Sequence, residues 1–81
     1  MKKLLYFTGL NCVPCRTFSP IMDRVSKEFT VEKIVTDYQM DKAVANNVRS
    51  VPTVILVENG QEVKRFIGAK SYEDVINFYN N

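Results

Sequence analysis

Two cysteines, Cys12 and Cys15, separated by Val13 and Pro14, are the residues whose type and spacing point most directly to a chemistry. Ahead of them the apolar run Leu4-Leu5-Tyr6-Phe7 reads as a buried strand. After them Phe18, Ile21, Met22, Val25 and Phe29 recur at the spacing of one helix face. The pair therefore falls where a strand hands over to a helix, with Cys12 at or just before the first turn and Cys15 one turn further in. Unpaired backbone N–H groups at a helix start carry partial positive charge and favour a thiolate over a thiol. Three-residue spacing lets the two sulfurs meet, so each can attack or be attacked by the other. That is what a reversible dithiol/disulfide couple needs.

Other readings of the pair stand beside this one. A structural bridge here would close a very short loop and gain little entropic stabilisation. A zinc site normally takes four ligands, and the chain has two cysteines and no histidine. Metal would then require ligands shared between two chains or recruited carboxylates. Two inert, buried thiols are the third possibility. The helix-start position and the intervening proline favour the redox couple, with no metal and no bound cofactor expected.

The elements that must hold such a pair fit in one domain, residues 1–81. The composition is 46% hydrophobic and 25% charged, which supplies one modest core. A net charge of +2, with basic residues from Lys2 to Lys70 interleaved with acids, gives no stripe for nucleic acid or a membrane surface. Tyr6, Tyr38, Tyr72 and Tyr79 are dispersed and form no stacking platform. The start Met1-Lys2-Lys3 followed by apolar residues superficially resembles a secretory leader. Its apolar run ends at Thr8-Gly9, too short for one, and no small-residue cleavage site follows. No stretch reaches membrane-spanning length. A monomer in the cytoplasm is expected, where Cys-x-x-Cys is more often catalytic than structural.

In chain order, residues 2–7 form a first strand, lacking polar alternation and so covered on both faces. Thr8 to Asn11 form a loop pivoting on Gly9. A helix from Val13 or Pro14 to Glu28 carries Pro20 inside it, which removes a donor and predicts a kink. Residues 31–36 form a second strand, parallel to the first through a βαβ crossover. Asp37 to Asn47 hold a shorter helix with Met40, Ala43 and Val44 facing inward, ended by Asn46-Asn47. Residues 53–57 and 61–66 are strands joined by an Asn59-Gly60 hairpin. Ser71 caps a last helix, with Asp74 three residues on and Tyr72, Val75, Ile76 and Tyr79 on its buried face. The order is βαβαββα: an α/β fold with a four-stranded mixed sheet, strands 2–7 and 53–57 central, and helices on both faces.

Over nearly its whole length the chain resembles the thioredoxin family. The resemblance rests on the strand before Cys12-Val13-Pro14-Cys15, the helix with Pro20 and Val51-Pro52-Thr53 ahead of a central strand. The Asn59-Gly60 hairpin and Ile67-Gly68-Ala69 before the last helix complete it. The additional first strand and helix usual in thioredoxins are missing, which leaves a minimal core of glutaredoxin size. Asn11 and Val13 stand where tryptophan and glycine are usual. Tyr6 stands where the family has a buried aspartate that assists proton transfer at the second cysteine, while Lys33 matches the lysine that accompanies it. Glutaredoxins usually place proline directly after the first cysteine and carry a double-glycine, acidic segment for glutathione. Val13 and the single Gly68 lean the chain towards thioredoxin.

The resemblance implies a thioredoxin-like fold and a thiol-disulfide oxidoreductase, acting as protein-disulfide reductase and electron donor. Together with the helix-start argument, it makes Cys12 the nucleophile and Cys15 the residue that resolves the mixed disulfide. It implies a cis Pro52 packed against the sulfurs. Val51 would offer its backbone N–H and C=O to an extended substrate. Asn11, Gly68 and Ala69 would rim the same apolar groove. A thioredoxin reductase would supply electrons, and disulfide-containing proteins such as ribonucleotide reductase would receive them. Two alternatives are a glutaredoxin-like enzyme using glutathione and a non-catalytic binding module that keeps the fold.

Overall fold

A strand that is apolar at every position needs cover on both faces, and the two such runs occupy the middle of the sheet. The computed structural model describes residues 1–81. Its elements are β1 (Lys2–Thr8), α1 (Val13–Val25), β2 (Val31–Val35), α2 (Met40–Ala45), β3 (Thr53–Glu58), β4 (Gln61–Ile67) and α3 (Tyr72–Asn80). The strand order is β2-β1-β3-β4. The β1–β2 pair is parallel, and β1–β3 and β3–β4 are antiparallel. This is the expected four-stranded mixed sheet with the expected central strands.

Period-two alternation along the central strands divides the core in two. Leu4 and Tyr6 of β1 with Val54 and Leu56 of β3 face Phe18, Met22 and Val25 of α1 and Val75 of α3. Leu5, Phe7, Ile55 and Val57 face the other way, onto Ala43 of α2. Helices α1 and α3 thus share one face, and α2 covers the other. On the larger face aromatic rings meet edge to face in series. Tyr6 and Phe18 are 5.6 Å apart between centroids, Phe18 and Phe66 6.1 Å, and Phe66 and Phe78 4.8 Å.

Two helices differ from the sequence reading. Helix α1 ends at Val25 rather than Glu28, and the chain continues in turns whose Glu28 and Phe29 N–H groups both donate to the Val25 carbonyl. Phe29 keeps its place against the core without being helical, stacking on Tyr79 at 4.1 Å. Its apolar character, in phase with Met22 and Val25, is what extends the helical pattern past Val25 in the sequence. Helix α2 is only six residues long, and Met40 and Val44 are exposed at 60% and 72% instead of facing inward. Of its residues Ala43 alone is buried. A helix of under two turns presents little more than one position to a sheet, and a small residue there lets the backbone come close. Val48 and Val51 cover the rest of that face.

The caps and turns follow the sequence. Asn47 ends α2 in the left-handed region at φ 56°. Asn59 and Gly60, at φ 55° and 82°, form the hairpin turn that matches strand twist. Ser71 Oγ accepts the Asp74 N–H at 3.1 Å and caps α3.

Candidate active site

The end of β1 and the start of α1 set the two sulfurs. Cys12 is the N-cap of α1, in extended backbone geometry, and its Sγ accepts the Cys15 N–H at 3.2 Å. Sulfur thereby takes the place that a serine or aspartate oxygen usually holds at a helix start. Pro14 lies in the first turn, where a missing N–H costs nothing. Cys12 and Cys15 form a disulfide, their Cα atoms 5.2 Å apart. The two are not equivalent: Cys12 is 9% exposed and Cys15 2%.

The loop before β3 supplies the opposite wall. The Val51 carbonyl oxygen lies 3.6 Å from Cys12 Sγ. A disulfide sulfur carries no proton, so this is a close approach. In the reduced state the Cys12 thiol has an acceptor there. The Val51–Pro52 bond is cis. Pro52 is buried, and its carbonyl accepts the Gly68 N–H at 2.9 Å. Gly68 sits at φ +97°, a conformation strained for any residue with a side chain. Thr53 Oγ1 donates to the Ser50 carbonyl at 2.7 Å and fastens the loop.

Cys12, Val51, Pro52 and Gly68, placed together by the sequence reading, are linked in this way. Asn11 is exposed directly ahead of the cap, and Ala69 is exposed beyond Gly68; neither bonds to the others. Two residues of the site escaped the sequence reading. A Cβ on Gly9 would lie 3.2 Å from Val51 Cγ2, so glycine lets the two loops touch. Asp37 Oδ1 accepts the Leu10 N–H at 3.0 Å and ties the loop after β1 to the end of β2. Its polarity had marked it only as a helix start.

Tyr6 is buried on the α1 side of β1, and its hydroxyl has no hydrogen-bond partner. No carboxylate is buried anywhere in the chain. Lys33, paired with Tyr6 in the β1–β2 register, is exposed and donates to Ser19 Oγ at 3.3 Å. No cluster of three or more His, Cys, Asp or Glu side chains is arranged to hold a metal ion.

The family model for thioredoxin matches residues 1–81. A thioredoxin from Mycoplasma genitalium is 37% identical over 78 residues, spanning 93% of this chain and 76% of that protein. A bifunctional thioredoxin reductase/thioredoxin from Mycobacterium leprae is 37% identical over 71 residues, which are 83% of this chain and 16% of that one. Among solved structures, Fasciola hepatica thioredoxin superposes with a TM-score of 0.90 at 26% identity, covering 98% of this chain and 78% of the other. Likeness of this extent, in sequence as well as backbone, settles what the disulfide at the head of α1 is for: the chain belongs to the thioredoxin family and is a thiol-disulfide oxidoreductase.

Proposed function

We propose that the protein is a protein-disulfide reductase in which Cys12 attacks and Cys15 resolves. The observation that carries this is the placement of Cys12 Sγ as the N-cap, accepting the Cys15 N–H, while Cys15 lies one turn on and is the more buried of the two. In the reduced protein the same N–H groups stabilise a Cys12 thiolate. That thiolate attacks one sulfur of a substrate disulfide. The substrate S–S bond breaks, a Cys12–substrate disulfide forms, and the leaving thiolate takes a proton. Cys15, deprotonated by water or by the departing thiolate, then attacks Cys12 Sγ and releases the second substrate thiol. Two electrons and two protons pass to the substrate, and the protein is left with the Cys12–Cys15 disulfide.

Val51 pairs its backbone with an extended substrate beside Cys12, with Pro52, Gly68, Ala69 and Asn11 around the same groove, a reading supported by the Val51 carbonyl lying 3.6 Å from Cys12 Sγ. A thioredoxin reductase returns the electrons. The Mycobacterium leprae relative, named as both activities in one chain, supports that donor. Ribonucleotide reductase is a candidate recipient, and the setting is the cytoplasm, as a single-domain monomer. No helix is long and apolar enough to cross a membrane. A paired assay tests this reading: insulin reduction with NADPH and a thioredoxin reductase, against mixed-disulfide reduction with glutathione. Turnover in the first and not the second is expected. Turnover only with glutathione would give the protein to the glutaredoxin-like class, and none in either would leave a binding module.

A further inference from the structure

We propose that the protein selects substrates whose disulfide is flanked by acidic residues, and that Arg49 and Arg16 are the specificity-determining residues. This rests on the reductase reading above and names its substrate class. Two cavities open on either side of the Gly9–Val51 contact. One, of about 130 Å³, has an apolar floor at Ala43 and Val48 and is lined by Val51 and Arg49. The other, of about 200 Å³, is lined by Cys15, Gly9, Arg16 and Lys33. Each cavity therefore has an arginine in its wall, Arg49 together with Val51 in the first and Arg16 together with Cys15 in the second.

Neither cavity is lined by a carboxylate. Asp37 lies beside the Gly9–Val51 contact, its Oδ1 accepting the Leu10 N–H, and sets one carboxylate against the three cations Arg16, Lys33 and Arg49. The ion pairs of the chain join Lys3 and Lys42 to Glu32 and Arg65 to Glu62, so Arg16, Lys33 and Arg49 have no carboxylate partner. Leu10, in the wall of the second cavity, and Val13, next to Cys12, are exposed apolar residues. Apolar contact next to the cystine, with cations free of carboxylate partners beside Val51 and beside Cys15, complements an apolar segment bounded by Asp or Glu. Charges at the rim of such a contact act mainly on encounter rate and on rejection of wrong partners.

Single-turnover reduction by the fully reduced protein tests this without any reductase. The probes are three synthetic peptide disulfides with one apolar core, flanked by Asp, Asn or Lys. Each rate is divided by that of dithiothreitol on the same peptide, which removes the effect of the flanks on the disulfide itself. The expected order is Asp, Asn, Lys, with roughly a tenfold spread between the ends at low salt, shrinking several-fold by ~0.5 M salt as rim charges are screened. In the variant carrying Arg49→Glu and Arg16→Glu the order should invert. Equal rates for the three peptides with wild type, or an Asp advantage that survives the double reversal, would overturn the proposal. Wild type failing to reduce the Asn peptide at all would instead remove the reductase reading. Should the double variant not fold, Arg49→Glu alone and the wild-type salt series decide the matter.

Discussion

At the scale of single residues, the site turns on where two sulfurs stand relative to one helix start. Because the Cys15 N–H points at Cys12 Sγ and Cys15 is the more buried of the two, reduced protein should be alkylated by iodoacetamide first at Cys12. That reaction should persist to lower pH than with a free cysteine. Peptide mapping of partly alkylated protein over a pH series checks it, and preferential labelling of Cys15 would count against it. Tyr6 makes a separate point. An unpaired buried hydroxyl costs about 1–3 kcal/mol, and the Tyr6 hydroxyl has no partner. Tyr6→Phe should therefore stabilise the protein by about 1 kcal/mol, raising Tm by about 4–8 °C for a domain of this size. A lower melting temperature would mean that the hydroxyl is satisfied in solution. The cysteine pair was legible in the sequence because its chemistry is rare and locally spaced, and the Val51-Pro52 wall through the resemblance to the thioredoxin family. Gly9 and Asp37 were not, since what makes them matter is contact with residues far along the chain.

Elements show the same division. The central strands could be read from unbroken apolar runs and the hairpin from Asn59-Gly60, because strand burial and turn geometry are written locally. Helix α2 could be read as a short helix with Ala43 inward, but not its extent or the exposure of Met40 and Val44, because its inward face depends on how closely a short helix approaches the sheet. Helix α1 was overextended because Phe29 is apolar in phase yet packs from a turn. On the same layer Glu32 of β2 takes Lys3 of β1 and Lys42 of α2, both at 3.2 Å. The hydrogen bonds from Lys42 and Lys3 hold its carboxyl below the ordinary glutamate range. A folded value below the unfolded one means that the native state binds fewer protons, so this contribution is full above about pH 4.3 and disappears as acid titrates the folded carboxylate. Both pairs are well exposed, so the effect is small, about 0.2–1 kcal/mol for a pair of this kind. Glu32→Gln should lower neutral-pH stability by that order and leave stability in strong acid unchanged. Urea melts at two pH values measure it, and an equal loss at both would exclude the ionic origin.

For the molecule as a whole, a chain of 81 residues has a net stability of about 4–12 kcal/mol at roughly 0.05–0.15 kcal/mol per residue. Phe18 joins α1 to the sheet and to the aromatic series through Phe66. Phe18→Ala should cost about 3–5 kcal/mol, measured from urea melts followed by circular dichroism, whereas a shift under 1 kcal/mol would mean that the core repacks around the gap. That rigid core exists to present one exchange at its edge, and the order of events in the exchange is the centre of this account. Intact-protein mass spectrometry of Cys15→Ser and Cys12→Ser, each reduced and then mixed with a peptide disulfide, tests it most directly. Cys15→Ser should accumulate a covalent adduct through Cys12 that dithiothreitol releases, while Cys12→Ser forms little or none. Adducts forming mainly through Cys15, in the variant that keeps it, would contradict the assignment of Cys12 as the attacking residue.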